Sequence, residues 1–140
     1  MSVLFFWRRD NYFIDMRSGR PYHLNQNNKL TLNLAAGEHI WALTRPDDTY
    51  VLAVDLVVIQ THVNPSTYKY GRYRTLVDRD RSRYFDVHRG PDAGPLIRSL
   101  SFFPQARILG HSFRGKNAVR LLTSADEQKL ISFSSGLPKI

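Results

Sequence analysis

The chain has 140 residues, 42% of them hydrophobic, which is enough for one domain (1–140) with a sizeable core. It carries no cysteine, so disulfide scaffolds, thiolate metal sites and cysteine nucleophiles are excluded. Twenty Lys and Arg against twelve Asp and Glu leave a charge of +8, and such a surplus favours a polyanionic partner through phosphate contacts and counterion release.

No apolar run approaches the roughly 18 residues of a spanning helix. The first charges, Arg8 and Arg9, follow the apolar stretch Val3–Trp7, the reverse of a secretory signal. The expectation is a cytoplasmic protein without a membrane partner.

Val3–Trp7 is a compact β-branched and aromatic run and predicts a first strand. Tyr12 and Phe13 continue it or begin the turn toward Ser18-Gly19-Arg20-Pro21. Residues 25–29, Asn-Gln-Asn-Asn-Lys, read as polar loop material. Leu30–Leu34 alternates apolar with polar and predicts a short strand. His39–Thr44 and Tyr50–Ile59 form the clearest strand pair, joined by the turn residues Arg45-Pro46-Asp47-Asp48. Val51–Ile59 is almost continuously apolar, as expected of a central strand buried on both faces.

Residues 60–83 form the longest polar stretch and are expected to contain a long loop. Tyr84–His88 predicts a further strand. Gly90-Pro91-Asp92-Ala93-Gly94-Pro95 is punctuation before the apolar segment Leu96–Phe103. Thr123 and Ser124 ahead of Asp126 and Glu127 resemble a capping box, predicting a terminal helix with Leu130, Ile131 and Phe133 inward. The fold class is α+β but mainly β, a curled or barrel-like antiparallel or mixed sheet with peripheral helices.

Residues 69–89 hold seven basic side chains against three acidic ones. Tyr68, Tyr70, Arg72, Tyr73, Arg74, Arg79, Arg81 and Arg83 interleave aromatics with guanidinium groups, a composition suited to tracking a nucleic-acid backbone or entering a groove. Arg114 and Lys116 extend the basic surface, unless they serve a simple turn.

Catalytic motifs come close and fail. Gly110-His111-Ser112-Phe113-Arg114-Gly115-Lys116-Asn117 nearly spells a phosphate-binding loop, but Asn117 replaces the Ser or Thr that would coordinate magnesium. Pro91-Asp92 with Glu127-Gln128-Lys129 approaches a metal-dependent nuclease pattern, yet Glu127 and Lys129 fall in the predicted terminal helix. His23, His39, His62, His88 and His111 lack metal-ligand spacing. No metal, cofactor or catalytic constellation is expected.

Several segments, in order, resemble the EVE branch of the PUA-like superfamily, a relative of YTH domains. They are the aromatic opening strand Leu4-Phe5-Phe6-Trp7, the turn and strand Ala36-Gly37-Glu38-His39-Ile40-Trp41-Ala42-Leu43-Thr44, and the apolar strand Leu52–Ile59 with its loop His62-Val63-Asn64-Pro65. Tyr84–Val87 with Gly94-Pro95-Leu96, and the ending Gly115–Thr123 before an acidic helix, complete the pattern. Glu38 replaces the usual aspartate, and Arg8-Arg9 follow Trp7 where apolar or small residues are common.

The resemblance implies a non-catalytic reader that flips a modified base into an aromatic pocket, with DNA ahead of RNA by analogy with modification-dependent restriction enzymes. A nuclease module or subunit would then be a partner. An RNA-binding EVE or PUA-type protein, a small nuclease or nucleotide hydrolase on a PUA-like fold, and a protein–protein module are the alternatives. On this reading Trp7 and Trp41 are the stacking candidates, with Phe5, Phe6 and Tyr12 competing for that role or for the core. Thr44 and Arg45 would contact a base edge or phosphate. Asp10 and Asn11 would read a Watson–Crick edge or form an Asx turn.

Overall fold

The computed structural model describes residues 1–101 and 119–140. Among the described residues, six strands form one mixed sheet that curls into a half-barrel, mainly β with three short helices. The elements in chain order are β1 (Val3–Phe6), α1 (Arg9–Met16), β2 (His23–Gln26), a 3-10 turn (Lys29–Asn33), β3 (His39–Thr44), β4 (Val51–Val63), β5 (Tyr73–Tyr84), α2 (Gly94–Arg98), β6 (Val119–Leu121) and α3 (Ser124–Ser134). Across the sheet the order is β2-β5-β4-β3-β1-β6. Only β1 and β3 run parallel; the other neighbours are antiparallel.

Alternation along the strands divides the apolar residues between two cores. Val3, Phe5, Ile40 and Ala42 join one with Trp7, Tyr12, Leu24, Val77 and Tyr84. Leu4, Trp41 and Leu43 point the other way, where α2 and α3 cover them with Ile97, Leu100 and Leu130. The central hairpin follows the sequence expectation: β3 pairs with β4, and Val51 through Val58 are all buried. Ile59 is the exception, about half exposed.

Four expected elements are corrected. Tyr12 and Phe13 belong to α1, not to a strand extension, because Tyr12 and Met16, one turn apart, both pack on the first core. Of residues Leu30–Leu34, the first four are helical rather than extended, and Leu34 is the extended cap that ends the turn. Asn28 Oδ1 accepts from Leu30 N at 2.9 Å, and the buried residues Thr31 and Leu34 recur at a spacing of three while Leu32 is exposed. The polar stretch 60–83 is mostly sheet, since β4 runs to Val63 and β5 spans Tyr73–Tyr84, leaving residues 64–72 as the loop. Tyr84–His88 is only the end of β5; Phe85 makes one bridge to Lys139, and Asp86 Oδ1 then turns the chain by accepting from His88 N. Of the apolar segment Leu96–Phe103, the first residues lie in α2 and the last two fall outside the described residues.

The terminal helix starts on the expected capping box: Thr123 Oγ1 accepts from Asp126 N at 3.1 Å, and the Asp126 carboxylate accepts from Thr123 N. Leu130 is buried and Phe133 partly so, whereas Ile131 points outward at 44% exposure. Asp126 also accepts from Ser101 N and Oγ at 3.0 and 2.6 Å. Burial alone would raise its pKa, but these hydrogen bonds outweigh burial and hold it below the ordinary value. No helix among the described residues is long and apolar enough to cross a membrane.

Thr123→Ala should cost about 1 kcal/mol of stability in urea unfolding, the usual worth of an N-cap. Asp126→Ala should cost more, because it also leaves the two Ser101 donors without their acceptor.

Candidate functional site

A cleft of about 830 Å³ opens where the end of β1, helix α1, strand β2 and the 64–72 loop meet. Its size suits a small organic ligand. Phe5, Phe6 and Trp7 come from the end of β1, and Asn11, Ile14 and Asp15 from α1. Strand β2 adds His23 through Gln26, and the loop adds Tyr68 and Tyr70. Aromatic rings and side-chain amides thus share one concavity.

Its walls are held by polar contacts of three kinds. Trp7 Nε1 donates to Asp15 Oδ2 at 3.1 Å, which ties the ring to α1, and Tyr12 meets it edge-on at 5.4 Å between ring centres. Asn25 is a hub: its Oδ1 accepts from Asn64 Nδ2 at 3.1 Å and Arg74 Nε at 3.2 Å, while its Nδ2 donates to Tyr68 Oη at 3.4 Å. The Arg74 guanidinium also lies over the Tyr68 ring, 5.1 Å from its centre. By contrast, the side-chain amides of Asn11 and Gln26 bond to no other described residue, so their donors and acceptors remain open to a ligand. His23 Nδ1 is buried without a hydrogen-bond partner among the described residues. Burial, reinforced by the Arg74 charge and opposed by Asp15, pushes the His23 pKa down.

The cleft is rimmed by positive charge. Arg8 lines it, and Lys69 and Arg72 sit exposed on the adjoining loop, with no acidic partner among the described residues. Farther along β5, Arg79 lies over Tyr22, and Arg81 borders a second concavity of about 390 Å³ with Arg20 and Lys139.

The expected site residues distribute unevenly. Asn11 and Trp7, itself buried at 4% exposure, line the cleft; of the residues expected on the backbone track, Tyr68 stands in its wall and Tyr70, 67% exposed, at its outer edge. Tyr12 is buried behind Trp7, where burial first and Asp86 second raise its phenol pKa. Asp10 is exposed beside Arg9 and does not reach the cleft. Thr44 is fully buried, with no partner for its hydroxyl among the described residues and no route to a ligand. Trp41 belongs to the second core, 1% exposed, with Nε1 donating to Glu127 Oε2 at 2.9 Å. The two tryptophans therefore cannot form one stacking wall, because consecutive β1 and β3 residues alternate between cores. Arg45 sits on the β3–β4 turn over Tyr50, and the neighbouring Pro46 carbonyl accepts from Arg9 at the start of α1. Tyr73 is buried in the sheet. Arg114 and Lys116 lie outside the described residues.

Arg83 is already engaged. Its Nε and Nη2 donate to Asp55 Oδ2 at 3.2 and 2.8 Å, and Nη2 also reaches Ser134 Oγ on α3 at 2.9 Å. The other Asp55 oxygen meets His39 Nδ1 at 2.5 Å. His39 stacks on Trp41. This charged group fastens α3 to the sheet on the Trp41 side.

The site residues that sequence reading does not single out are mainly those of β2. Asn25 and Gln26 fall within the polar run 25–29 and read locally as loop, although a cluster of amides is itself the signal of hydrogen-bond recognition.

The chain matches no known protein-family model and no curated protein.

The His39 pKa is raised, first by the hydrogen bond to Asp55, with the Asp55 and Glu127 charges adding and burial and Arg83 opposing. A raised histidine stabilises the fold fully below its ordinary pKa of about 6.5 and loses that contribution as pH rises through the folded value. Urea midpoints should therefore fall as pH increases through and above neutrality, and His39→Gln should flatten that dependence. An unchanged slope in the variant would dissociate His39 from it.

Proposed function

We propose that this chain is a nucleic-acid-binding reader domain, similar to EVE and PUA-like domains, that accepts one extruded modified base in the cleft. DNA is the favoured polymer, on the restriction-enzyme analogy, and a nuclease module or subunit is the corresponding partner. A cytoplasmic location belongs to the same reading. One observation carries it: unoccupied amides of Asn11 and Gln26 share the cleft with the Tyr68 ring, beside Arg8 and next to the loop that carries Lys69 and Arg72.

Each part of that juxtaposition matches a part of a nucleotide. Aromatic faces stack a base, and each such stack contributes about 1–3 kcal/mol. Side-chain amides pair with base edges in two-point hydrogen bonds, which discriminate one edge from another. Cations on the rim hold phosphates without reading sequence. Extrusion costs a few kcal/mol, so stacking and edge contacts together are sufficient to offset it. The curled, mainly β sheet supports the resemblance at the level of fold class.

The amides of Asn11 and Gln26 suit recognition by hydrogen bonding, and Asp15 accepts from Trp7 Nε1.

A panel of matched oligonucleotides, DNA and RNA, plain and modified, tests the reading by direct binding. Asn11→Ala and Gln26→Ala should each lower the preference for the modified ligand by about 1–3 kcal/mol while general affinity survives. Lys69→Ala combined with Arg72→Ala should weaken all sequences alike and flatten the salt dependence by about 0.9 for each duplex phosphate no longer neutralised. Absence of binding to every oligonucleotide at about 0.15 M salt would overturn the proposal.

A further inference from the structure

The 64–72 loop is built to hold one aromatic ring in solvent. Its base is closed by Asn64 N donating to Arg72 O at 2.7 Å, and Asn64 Nδ2 donates to Gly71 O at 2.9 Å. Within it, Tyr68 N donates to Pro65 O at 2.9 Å. Three further contacts brace it on β2 and the residue after it: Asn64 to Asn25, Asn25 to Tyr68, and Arg72 N to Asn27 Oδ1 at 3.0 Å. Gly71 completes the brace. At φ +141° it adopts a conformation that other residues rarely adopt, and a Cβ there would come within 2.9 Å of Gln26 N.

Against this framework, Tyr70 is 67% exposed, the most exposed large hydrophobic residue among those described. Its ring meets Tyr68 edge-on at 5.7 Å, and Lys69 Nζ lies 5.0 Å from its centre. Beyond these two contacts, the described residues leave the ring open to water on a braced loop. The ring stands at the mouth of the cleft and beside the cations Lys69 and Arg72.

We infer that Tyr70 is a wedge: it enters the stack of a double helix and fills the space left by the base that moves into the cleft. This rests on the proposed reading of the cleft and adds that the recognised polymer is a duplex, since a single strand has no stack to refill. Apolar side chains inserted between base steps are a general means of stabilising unstacked duplexes. Bracing matters here because a ring already held in place loses little freedom on insertion. Lys69 and Arg72, on either side, would meet the flanking phosphates.

The test compares Tyr70→Ala with the unaltered protein on one target sequence presented as a duplex and as a single strand. The duplex carries 2-aminopurine beside the target base, whose fluorescence reports unstacking. Tyr70→Ala should lower duplex affinity by about tenfold or more and abolish the fluorescence rise, while single-strand affinity stays within about twofold. Tyr70→Phe should restore both duplex readouts, because insertion uses the face of the ring and not the hydroxyl. Placing an abasic site opposite the target, which loosens it beforehand, should shrink the loss. Equal losses on duplex and single strand would make Tyr70 a wall of the cleft and overturn the wedge. A silent Tyr70→Ala on a duplex that the protein still binds with preference for the modified base overturns the wedge alone. If the unaltered protein binds neither form, the reading of the cleft falls with it.

Discussion

Asp55 is a carboxylate buried in the middle of the central strand, and the arrangement of the whole sheet follows from how it is satisfied. A buried charge is costly unless paired and hydrogen-bonded. Both of its oxygens are used, one by His39 from β3 and the other by Arg83 from β5. Arg83 then carries the chain of contacts to Ser134 on α3, and Ser134 Oγ donates onward to Ile131 O. Four elements thus meet at one residue. Removing one member of such a group typically costs about 3–5 kcal/mol, because the remaining charge stays buried without its partner. The guanidinium also faces the rings of Trp41 and Phe85, at 5.7 and 5.2 Å, so apolar packing and charge pairing reinforce each other.

That arrangement decides which face can bind. The side of the sheet carrying Leu4, Trp41 and Leu43 is closed by α2 and α3, with Glu127 on the Trp41 indole and Arg83 on Asp55. Beside the other core, among the described residues, helix α1, strand β2 and the 64–72 loop meet the end of β1, and the space between them is the cleft. Asn25 does for the cleft what Asp55 does for the sheet. It joins β2 to the loop after β4 through Asn64 and to β5 through Arg74, and it anchors Tyr68. The difference lies in chemistry: the group in the sheet is ionic, whereas the hub of the cleft is a neutral amide that takes up the Arg74 guanidinium.

The central hairpin and the capped terminal helix are legible in the sequence because each has a strong local signal: a β-branched run with a turn, and Thr123 placed three residues before Asp126. Strand β5 is obscured. Tyr73, Thr75 and Val77 alternate inward as a strand requires, but Arg79, Asp80 and Arg81 are exposed together where Asp78 Oδ1 takes the Asp80 and Arg81 amides and breaks the alternation. Charge composition hides the pleat. Helix α1 is hidden for the opposite reason: Phe13 and Ile14 are apolar yet exposed, so its inward face of Tyr12 and Met16 does not stand out. Of the candidate site, Trp7 and Asn11 are legible from their position after an aromatic strand. Asn25 and Gln26 are not, because the contacts that place them are remote in sequence and a polar run reads locally as a loop.

The basic residues of 69–89 illustrate why composition alone misplaces function. A long arginine-bearing loop would present all its charges to a ligand, but a strand divides them between two faces and several neighbours. Arg83 is committed to Asp55, and Arg74 to Asn25 and the Tyr68 ring, so both build the protein first. Arg79 covers Tyr22, while Lys69 and Arg72 stand on the loop with no acidic partner among the described residues. On the proposed reading, the charges that would act on a polyanion are those beside the cleft, whereas Arg74 and Arg83 hold the structure together. The two tryptophans divide in the same way. Trp7, bonded to the exposed Asp15 carboxylate, is buried at the edge of the first core where it borders the cleft; Trp41, sealed beneath α3, holds the sheet.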